Sequence, residues 1–340
     1  MSAATRNLPI GKAICEALAQ EMAHDPKVMV FGEDVGALGG VFGTTQGLLE
    51  QFGPQRVFDT PISEAGFIGA AVGLATSGMK PVVELMFVDF VGVCLNSIYN
   101  LAAKNCYFSG GSMPVPMVIM TAVGGGFGDA GQHSQCLYAT FGHLPGLKIV
   151  IPSTAHDAKG LLISAIRDPN PVVFMFHKAL QGMGWLTTPA SSIVDVPRES
   201  YTVPIGKGKI VRSGTDLTIV TLGATVHVAI EAAGQLAHEG ISAEIIDVRT
   251  IAPLDRQLII DSVRRTGRLV AADEDYHSYG VSAEIIASAC EDDAVRWQAA
   301  PVRISYPDVP PPFAPEMERH LLPSAERIRA AARRCMGRSA

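Results

Sequence analysis

The chain has 340 residues, 48% of them apolar and 18% charged, with a formal charge of −6. At roughly 100 to 200 residues per domain that length predicts two domains, each with apolar material for a core, so disordered and fibrous classes are excluded. Lys and Arg number 27 against 33 Asp and Glu, which leaves no basic excess for a phosphate backbone and excludes nucleic acid as a partner. No apolar run is long enough to cross a membrane. The six cysteines contain no CxxC pair, which fits reduced thiols in a cytosolic-type compartment better than a disulfide frame or a zinc site. The N-terminal segment lacks a basic stretch followed by an apolar core and a cleavage site, so the expectation is a soluble, cytoplasmic protein.

In chain order, Leu8, Ile10, Ile14, Ala17, Leu18 and Met22 fall at helical spacing and lead into an apolar run, Val28 to Phe31, that reads as a buried strand. Further apolar runs, Pro81 to Phe87, Val115 to Thr121, Lys148 to Ile151 and Val172 to Phe176, alternate with helical stretches such as Ala155 to Arg167. Continuous apolar strands imply a parallel sheet covered on both faces. From Gln181 to Pro204 the composition shifts to Pro, Ser and Thr, as in an interdomain linker. Beyond it Leu217 to Leu222, Ala243 to Val248 and Leu269 to Ala272 read as strands, with helices over about Val226 to His238 and Leu254 to Arg265. This is a second, smaller parallel α/β domain. The segment Tyr306 to Phe313 is Pro-rich and extended, ahead of a last helix bearing Arg327, Arg329, Arg333 and Arg334, which reads as a solvated face.

Gly126, Gly128 and Gly131 match GxGxxG after a strand, but no apolar helix follows, and no acid ends a strand about 20 positions on, so a dinucleotide fold is rejected. Local signals for P-loop ATPases, serine hydrolases and zinc proteases are absent. Asp273, Glu274 and Asp275 resemble a metal cluster in composition, yet a carboxylate run after a strand reads as a solvated loop. Val57 to Ala75 is the richest stretch: Thr60, Pro61 and Ser63 offer a turn and an N-cap for a helix carrying Gly66, Gly69, Gly73 and Gly78. Glycines cost a helix about 1 kcal/mol each relative to Ala, so they call for close internal packing or a subunit interface. Glu64 opens this helix, where the dipole favours a carboxylate and burial would raise its pKa; a plain first-turn acid and a catalytic acid both remain open. His133 lies in a Gly-rich loop, where loop hydrogen bonding and proton transfer are both open. His143, His156 and His177 read as structural or peripheral.

Several blocks, in order, resemble one family: GlyGluAspValGly at 32–36, AspThrProIleSerGlu at 59–64, GlnHisSerGln at 132–135, ProGlyLeuLys at 145–148, AspAlaLysGlyLeuLeu at 157–162 and AlaIleArgAspProAsnPro at 165–171. Together with the C-terminal AspValProProPro and LeuProSer elements they resemble the beta subunit of thiamine-diphosphate-dependent 2-oxo acid dehydrogenases of the pyruvate and acetoin type. The resemblance implies an α/β fold of two three-layer, parallel-sheet domains. A transketolase-type pyrimidine-binding domain would span 1–185, a linker 186–204, and a transketolase C-terminal domain 205–340.

The resemblance also implies roles. Glu64 would hydrogen-bond a ring nitrogen of the cofactor's aminopyrimidine and favour the imino tautomer that deprotonates the thiazolium carbon. His133 would handle protons and orient the intermediate near a lipoyl acceptor. Phe90 would pack on the pyrimidine, with Glu33 and Ile62 beside it. A structural potassium ion would be held by Met117, Ala165, Ile166, Asp168 and Asn170. The GlyAspGly motif that holds the diphosphate through magnesium is absent from this chain. The resemblance supplies that half from an alpha subunit in an alpha2beta2 heterotetramer, with a lipoyl acyltransferase as a further partner. The expected function is cleavage of acetoin or decarboxylation of a 2-oxo acid such as pyruvate, with the acyl group passed to lipoamide. A diketone-cleaving or transketolase-like transferase and a non-enzymatic regulatory subunit are the alternatives. Many relatives have Arg, Gln and an acid where this chain has Met120, Val93 and Phe176, which makes those neighbourhoods less polar, while ProSerThr at 152–154 and HisLysAlaLeu at 177–180 lean slightly towards the acetoin-cleaving branch.

Overall fold

The computed structural model describes residues 6–184 and 187–338. Residues 1–5 of the N-terminal segment and the domain boundary expected at 185–186 lie outside the described residues. The chain divides into two compact units, one formed by 1–124 and 140–205 and the other by 125–139 and 206–340.

In the first unit six parallel strands run in the spatial order Lys148–Val150, Val172–His177, Val118–Val123, Lys80–Phe87, Val28–Gly32 and Val57–Asp59. Every residue of Val28–Gly32, Val118–Val123 and Val172–His177 is buried, the pattern a parallel strand shows when both its faces are covered. Helix Ile10–His24 packs along helix Ala155–Arg167, and helix Glu64–Thr76 packs on Lys80–Phe87 and on the π-helical stretch Ser97–Ala102. Helix Ala155–Arg167 starts where the Thr154 hydroxyl accepts the Asp157 amide at 3.3 Å. The Pro- and Ser-rich stretch up to Ile205 is knit into this unit. Val194 and Asp195 pair with Leu8 and Asn7, the Ser164 hydroxyl donates to the Val203 carbonyl, and the buried Lys159 ammonium donates to the carbonyls of Pro197, Arg198 and Glu199.

The second unit has the strand order Val302–Tyr306, Leu269–Tyr276, Leu217–Thr221, Ala243–Asp247 and Lys209–Arg212, parallel except for the last. Successive side chains of a strand point to opposite faces. Leu217 and Ile219 therefore join a core with helices Thr225–His238 and Ala325–Cys335, while the Thr218 hydroxyl bonds Ser262 at 2.7 Å and Thr266 at 2.8 Å on helix Arg256–Thr266.

The structure corrects the reading of the acidic run. Asp273, Glu274 and Asp275 belong to the strand Leu269–Tyr276, and Asp273 is wholly buried. The Asp273 carboxylate accepts the Ser282 amide at 2.9 Å, at the N-terminus of helix Val281–Cys290, and the Asp275 amide at 2.8 Å. A helix N-terminus, with its unpaired amides, tolerates an acid where a solvated loop was expected. Even so, burial, with Asp275 adding to it, pushes Asp273 up to about 8. Among the described residues no group of three or more His, Cys, Asp or Glu side chains could hold a metal ion.

Candidate active site

The residues expected to meet a pyrimidine ring follow consecutive strands of the first unit's sheet. Glu33 follows Val28–Gly32, Ile62 and Glu64 follow Val57–Asp59, and Phe90 ends the single turn Val88–Phe90 after Lys80–Phe87. All four thus lie beyond the carboxyl ends of parallel strands, where open α/β sheets bind ligands. Glu64 is the first residue of its helix and 9% exposed. Ser63 occupies the N-cap position, although its hydroxyl makes no capping bond.

The structure brings Glu33 and Glu64 together. The Glu33 carboxyl, 8% exposed, is held above the usual range by burial first, then by the Glu64 and Asp34 charges, and its Oε1 has no hydrogen-bond partner among the described residues. The Cys94 thiol is pushed up to about 12 by burial and by Glu64. Phe90 meets Phe87 edge-on at 5.6 Å between centroids, and Phe87 meets Phe42 at 5.9 Å, so the three rings form an aromatic cluster that begins where the strand Lys80–Phe87 ends. Ile62 is 84% exposed. A buried, unpaired carboxylate oxygen next to a second acid is suited to a planar group bearing N–H donors. The same cluster of Glu33, Asp34 and Glu64 repels phosphate.

The glycines of the helix after Glu64 have mixed reasons. A Cβ on Gly66 would approach the Ser63 hydroxyl to 2.6 Å, and one on Gly69 the Ser97 hydroxyl to 3.4 Å. Nothing described lies within 4 Å of a Cβ on Gly73, and Gly78, expected within the helix, instead sits past its end with φ +93°, a left-handed conformation that a helix does not continue through. Close internal packing therefore accounts for only part of the set.

His133 lies in the loop 125–139, which belongs to the second unit. It is half-buried and closes a single turn, Ala130–Gln132. The Gly128 amide donates to Glu318 Oε2 at 2.8 Å and the Ala139 amide to Asp275 Oδ2 at 2.7 Å. The GxGxxG spacing gets a different explanation here: Gly128 has φ +72°, and a Cβ on it would lie 3.0 Å from the Phe313 carbonyl oxygen. Its glycine serves a close approach within the unit.

The potassium set lies at the opposite, N-terminal ends of the strands. Met117 precedes Val118–Val123, Ala165 and Ile166 are in the last turn of their helix, and Asp168 caps it ahead of Asn170. The Met117 carbonyl accepts the Val172 amide at 3.0 Å and the Ala165 carbonyl the Asp168 amide at 3.2 Å, which leaves each a second lone pair for a hard cation. Asp168 accepts from Asn170 and is ion-paired with Lys148, so its carboxylate charge is already answered.

Two groups of residues escaped the sequence reading. Glu84, wholly buried in the strand Lys80–Phe87, was visible as an acid inside an apolar run. Tyr276 and Glu318, which hold the loop of His133, carried no local signal because they are distant in sequence.

Residues 6–182 match the family Transketolase, pyrimidine binding domain, and residues 206–328 match Transketolase, C-terminal domain. The chain therefore belongs to the transketolase-like proteins. Within them its group is that of the beta subunits of thiamine-diphosphate-dependent acetoin and 2-oxo acid dehydrogenases. The beta subunit of acetoin:2,6-dichlorophenolindophenol oxidoreductase from Cupriavidus necator is 46% identical over 97% of this chain and 98% of its own length. The mitochondrial pyruvate dehydrogenase E1 component subunit beta-1 of Arabidopsis thaliana is 46% identical over 99% of this chain and 92% of its own. The 2-oxoisovalerate dehydrogenase subunit beta of Bacillus subtilis is 41% identical over 94% and 96%. Among solved structures, a split-gene transketolase described as an inactive beta4 tetramer matches with a TM-score of 0.77 over 98% of this chain and 100% of its own, at 24% identity, a likeness of fold. No helix among the described residues is long and apolar enough to cross a membrane.

Proposed function

We propose that the chain supplies the pyrimidine-binding half of a thiamine diphosphate site in an acetoin- or pyruvate-type dehydrogenase. On this reading it is active with an alpha subunit as an alpha2beta2 assembly and delivers an acyl group to a lipoyl acyltransferase. The observation that carries the reading is the Glu33–Glu64 pair beyond the carboxyl ends of the sheet's strands, with Glu33 Oε1 lacking a partner among the described residues. When bound, thiamine diphosphate supplies an electron sink for cleaving the bond next to a carbonyl.

The chain's own residues act around it. Glu64 accepts a ring N–H and Glu33 stands as the second acid, a protonated carboxyl being favoured there because two like charges so placed resist ionising together. Phe90 fixes the ring plane and Ile62 covers its open side. His133 moves a proton at the reacting carbonyl oxygen. The acids repel diphosphate, which fits an alpha chain bringing the magnesium and its ligands. The glycine-bearing face at Gly73 is then a contact surface for another subunit.

Glu64→Gln, assembled with the alpha partner, is expected to lose at least a hundredfold in kcat, about 2.7 kcal/mol of barrier. It should also weaken cofactor binding by the apo assembly, read by calorimetry. Undiminished turnover would remove Glu64 from the chemistry. For potassium, held by Met117, Ala165, Ile166, Asp168 and Asn170, the expected outcome is a higher melting temperature in KCl than in choline chloride at equal ionic strength. A site filled to ten times its Kd adds about 1.4 kcal/mol. Equal melting in the two salts would dismiss the site.

A further inference from the structure

The turn that presents His133 is poorly supported by its own backbone. Ala130 has φ +58°, a left-handed conformation that costs an L-residue about 1 kcal/mol or more, and the bond closing the turn, His133 amide to Ala130 carbonyl, is long at 3.4 Å. Something outside the turn must hold it. Gln135 does so from one side, where its Nε2 donates to the Gly131 carbonyl at 2.9 Å and so spans the segment that contains His133. A side-chain amide can rotate by half a turn and exchange its oxygen and nitrogen, which would set Oε1 against the carbonyl. That rotation is opposed by Tyr276, whose hydroxyl donates to Gln135 Oε1 at 2.9 Å and thereby fixes which end of the amide faces Gly131. Tyr276 ends the strand Leu269–Tyr276, and its ring meets Tyr306 edge-on at 5.9 Å, so the hydroxyl is delivered from a rigid element.

We infer that Tyr276 is a positioning residue for His133, acting through the amide of Gln135. The inference rests on the reading of His133 as the proton-handling residue. Tyr276→Phe removes the hydroxyl alone and keeps the edge-on ring contact. The Gln135 amide then loses its orienting donor, the Gly131 carbonyl loses a reliable partner, and the imidazole samples orientations away from the reacting atoms. Misplacement of this kind lowers kcat and leaves KM nearly in place, because substrate and cofactor contacts are unchanged.

The test uses the enzyme assembled with its alpha partner, together with the full-length chain alone. Tyr276→Phe is expected to lower kcat about tenfold, with KM within about twofold and an unchanged melting temperature. In a His133→Ala background the same substitution should cost nothing further, since the residue it positions is gone. The second readout needs no turnover. The rate at which diethyl pyrocarbonate modifies His133 in the full-length chain, followed by peptide mass spectrometry, should change in Tyr276→Phe while His143, His156 and His320 keep theirs. Gln135→Met should reproduce both effects and carries the test alone if Tyr276→Phe fails to assemble. An equal loss of kcat in both backgrounds, or an unchanged His133 modification rate, would overturn the inference. If His133→Ala itself turns over normally, the reading of His133 fails, and the modification rate still decides whether Tyr276 orients the ring.

Discussion

Glu84 gives the sharpest physical prediction about the first unit. It is 1% exposed in the strand Lys80–Phe87, with Gly32 and Met120 opposite it on the neighbouring strands. The Thr44 hydroxyl donates to its Oε2 at 3.0 Å, and its Oε1 has no partner among the described residues. Burial pushes its pKa from 4.5 up to about 7, against a smaller opposing effect of the Thr44 bond. A carboxyl whose pKa is raised by folding binds more protons in the native than in the unfolded state between the two values. Its contribution is therefore intact below about pH 4.5, falls as pH rises towards 7, and is lost above that, a total of about 3 kcal/mol. Glu84→Gln keeps the shape and a hydrogen-bonding oxygen for Thr44 and removes the titration. Its advantage over the parent should grow from about 1 kcal/mol at pH 5 to about 3 kcal/mol at pH 8. Two units in one chain make a single global unfolding energy ill-defined, so the assay is amide hydrogen exchange of peptides covering 80–87 and 118–123, corrected for the intrinsic pH dependence. Opening energies of parent and variant that run parallel from pH 5 to 8 would refute the reasoning. Met120→Arg, by placing a cation opposite Glu84, should flatten the parent's pH dependence in the same assay.

Lys159→Met should destabilise the first unit by about 3 kcal/mol, because it leaves Glu16 and three carbonyls without the ammonium that now serves them; limited proteolysis within 187–205 should speed up, and resistance equal to the parent's would count against the clamp. Gly128→Ala forces a Cβ against the Phe313 carbonyl at a positive φ, at a cost of about 1 to 3 kcal/mol; peptides from 125–139 should exchange faster with no change in 28–32.

What the sequence made legible is what local pattern encodes. Val28–Gly32 and Val172–His177 are buried on both faces, so their apolar runs were unbroken and readable. Helix Thr225–His238 lies close to its expected bounds because its core residues recur at helical spacing. Glu64 was placed at a helix start by the turn residues before it, and the helix begins there. The acidic run misled because an isolated carboxylate is normally solvated, and only the fold supplies the Ser282 amide that lets Asp273 be buried. The glycines at 126–131 offered a phosphate motif that their sequence context rejected, and the structure gives Gly128 another reason, held by Glu318 and crowded by Phe313. Contacts across nearly 200 residues of sequence leave no periodic trace.

The two halves of the expected chemistry also differ in how they are supported, and the difference follows from electrostatics. Glu33 and Glu64 are held by the ends of strands and by a helix start, rigid elements of one sheet, so like charges can be kept close at a cost the core absorbs. That cost is useful: it favours a carboxyl that keeps its proton, and an unsatisfied oxygen gains most when a donor arrives. His133 instead sits on a loop with a strained alanine and a long closing bond, and its geometry depends on side chains delivered from the second unit's sheet. Substitutions that loosen the loop should therefore reach His133 while sparing the carboxylate pair. Glu84, inside the sheet that carries Glu33, should act on the pair through stability alone.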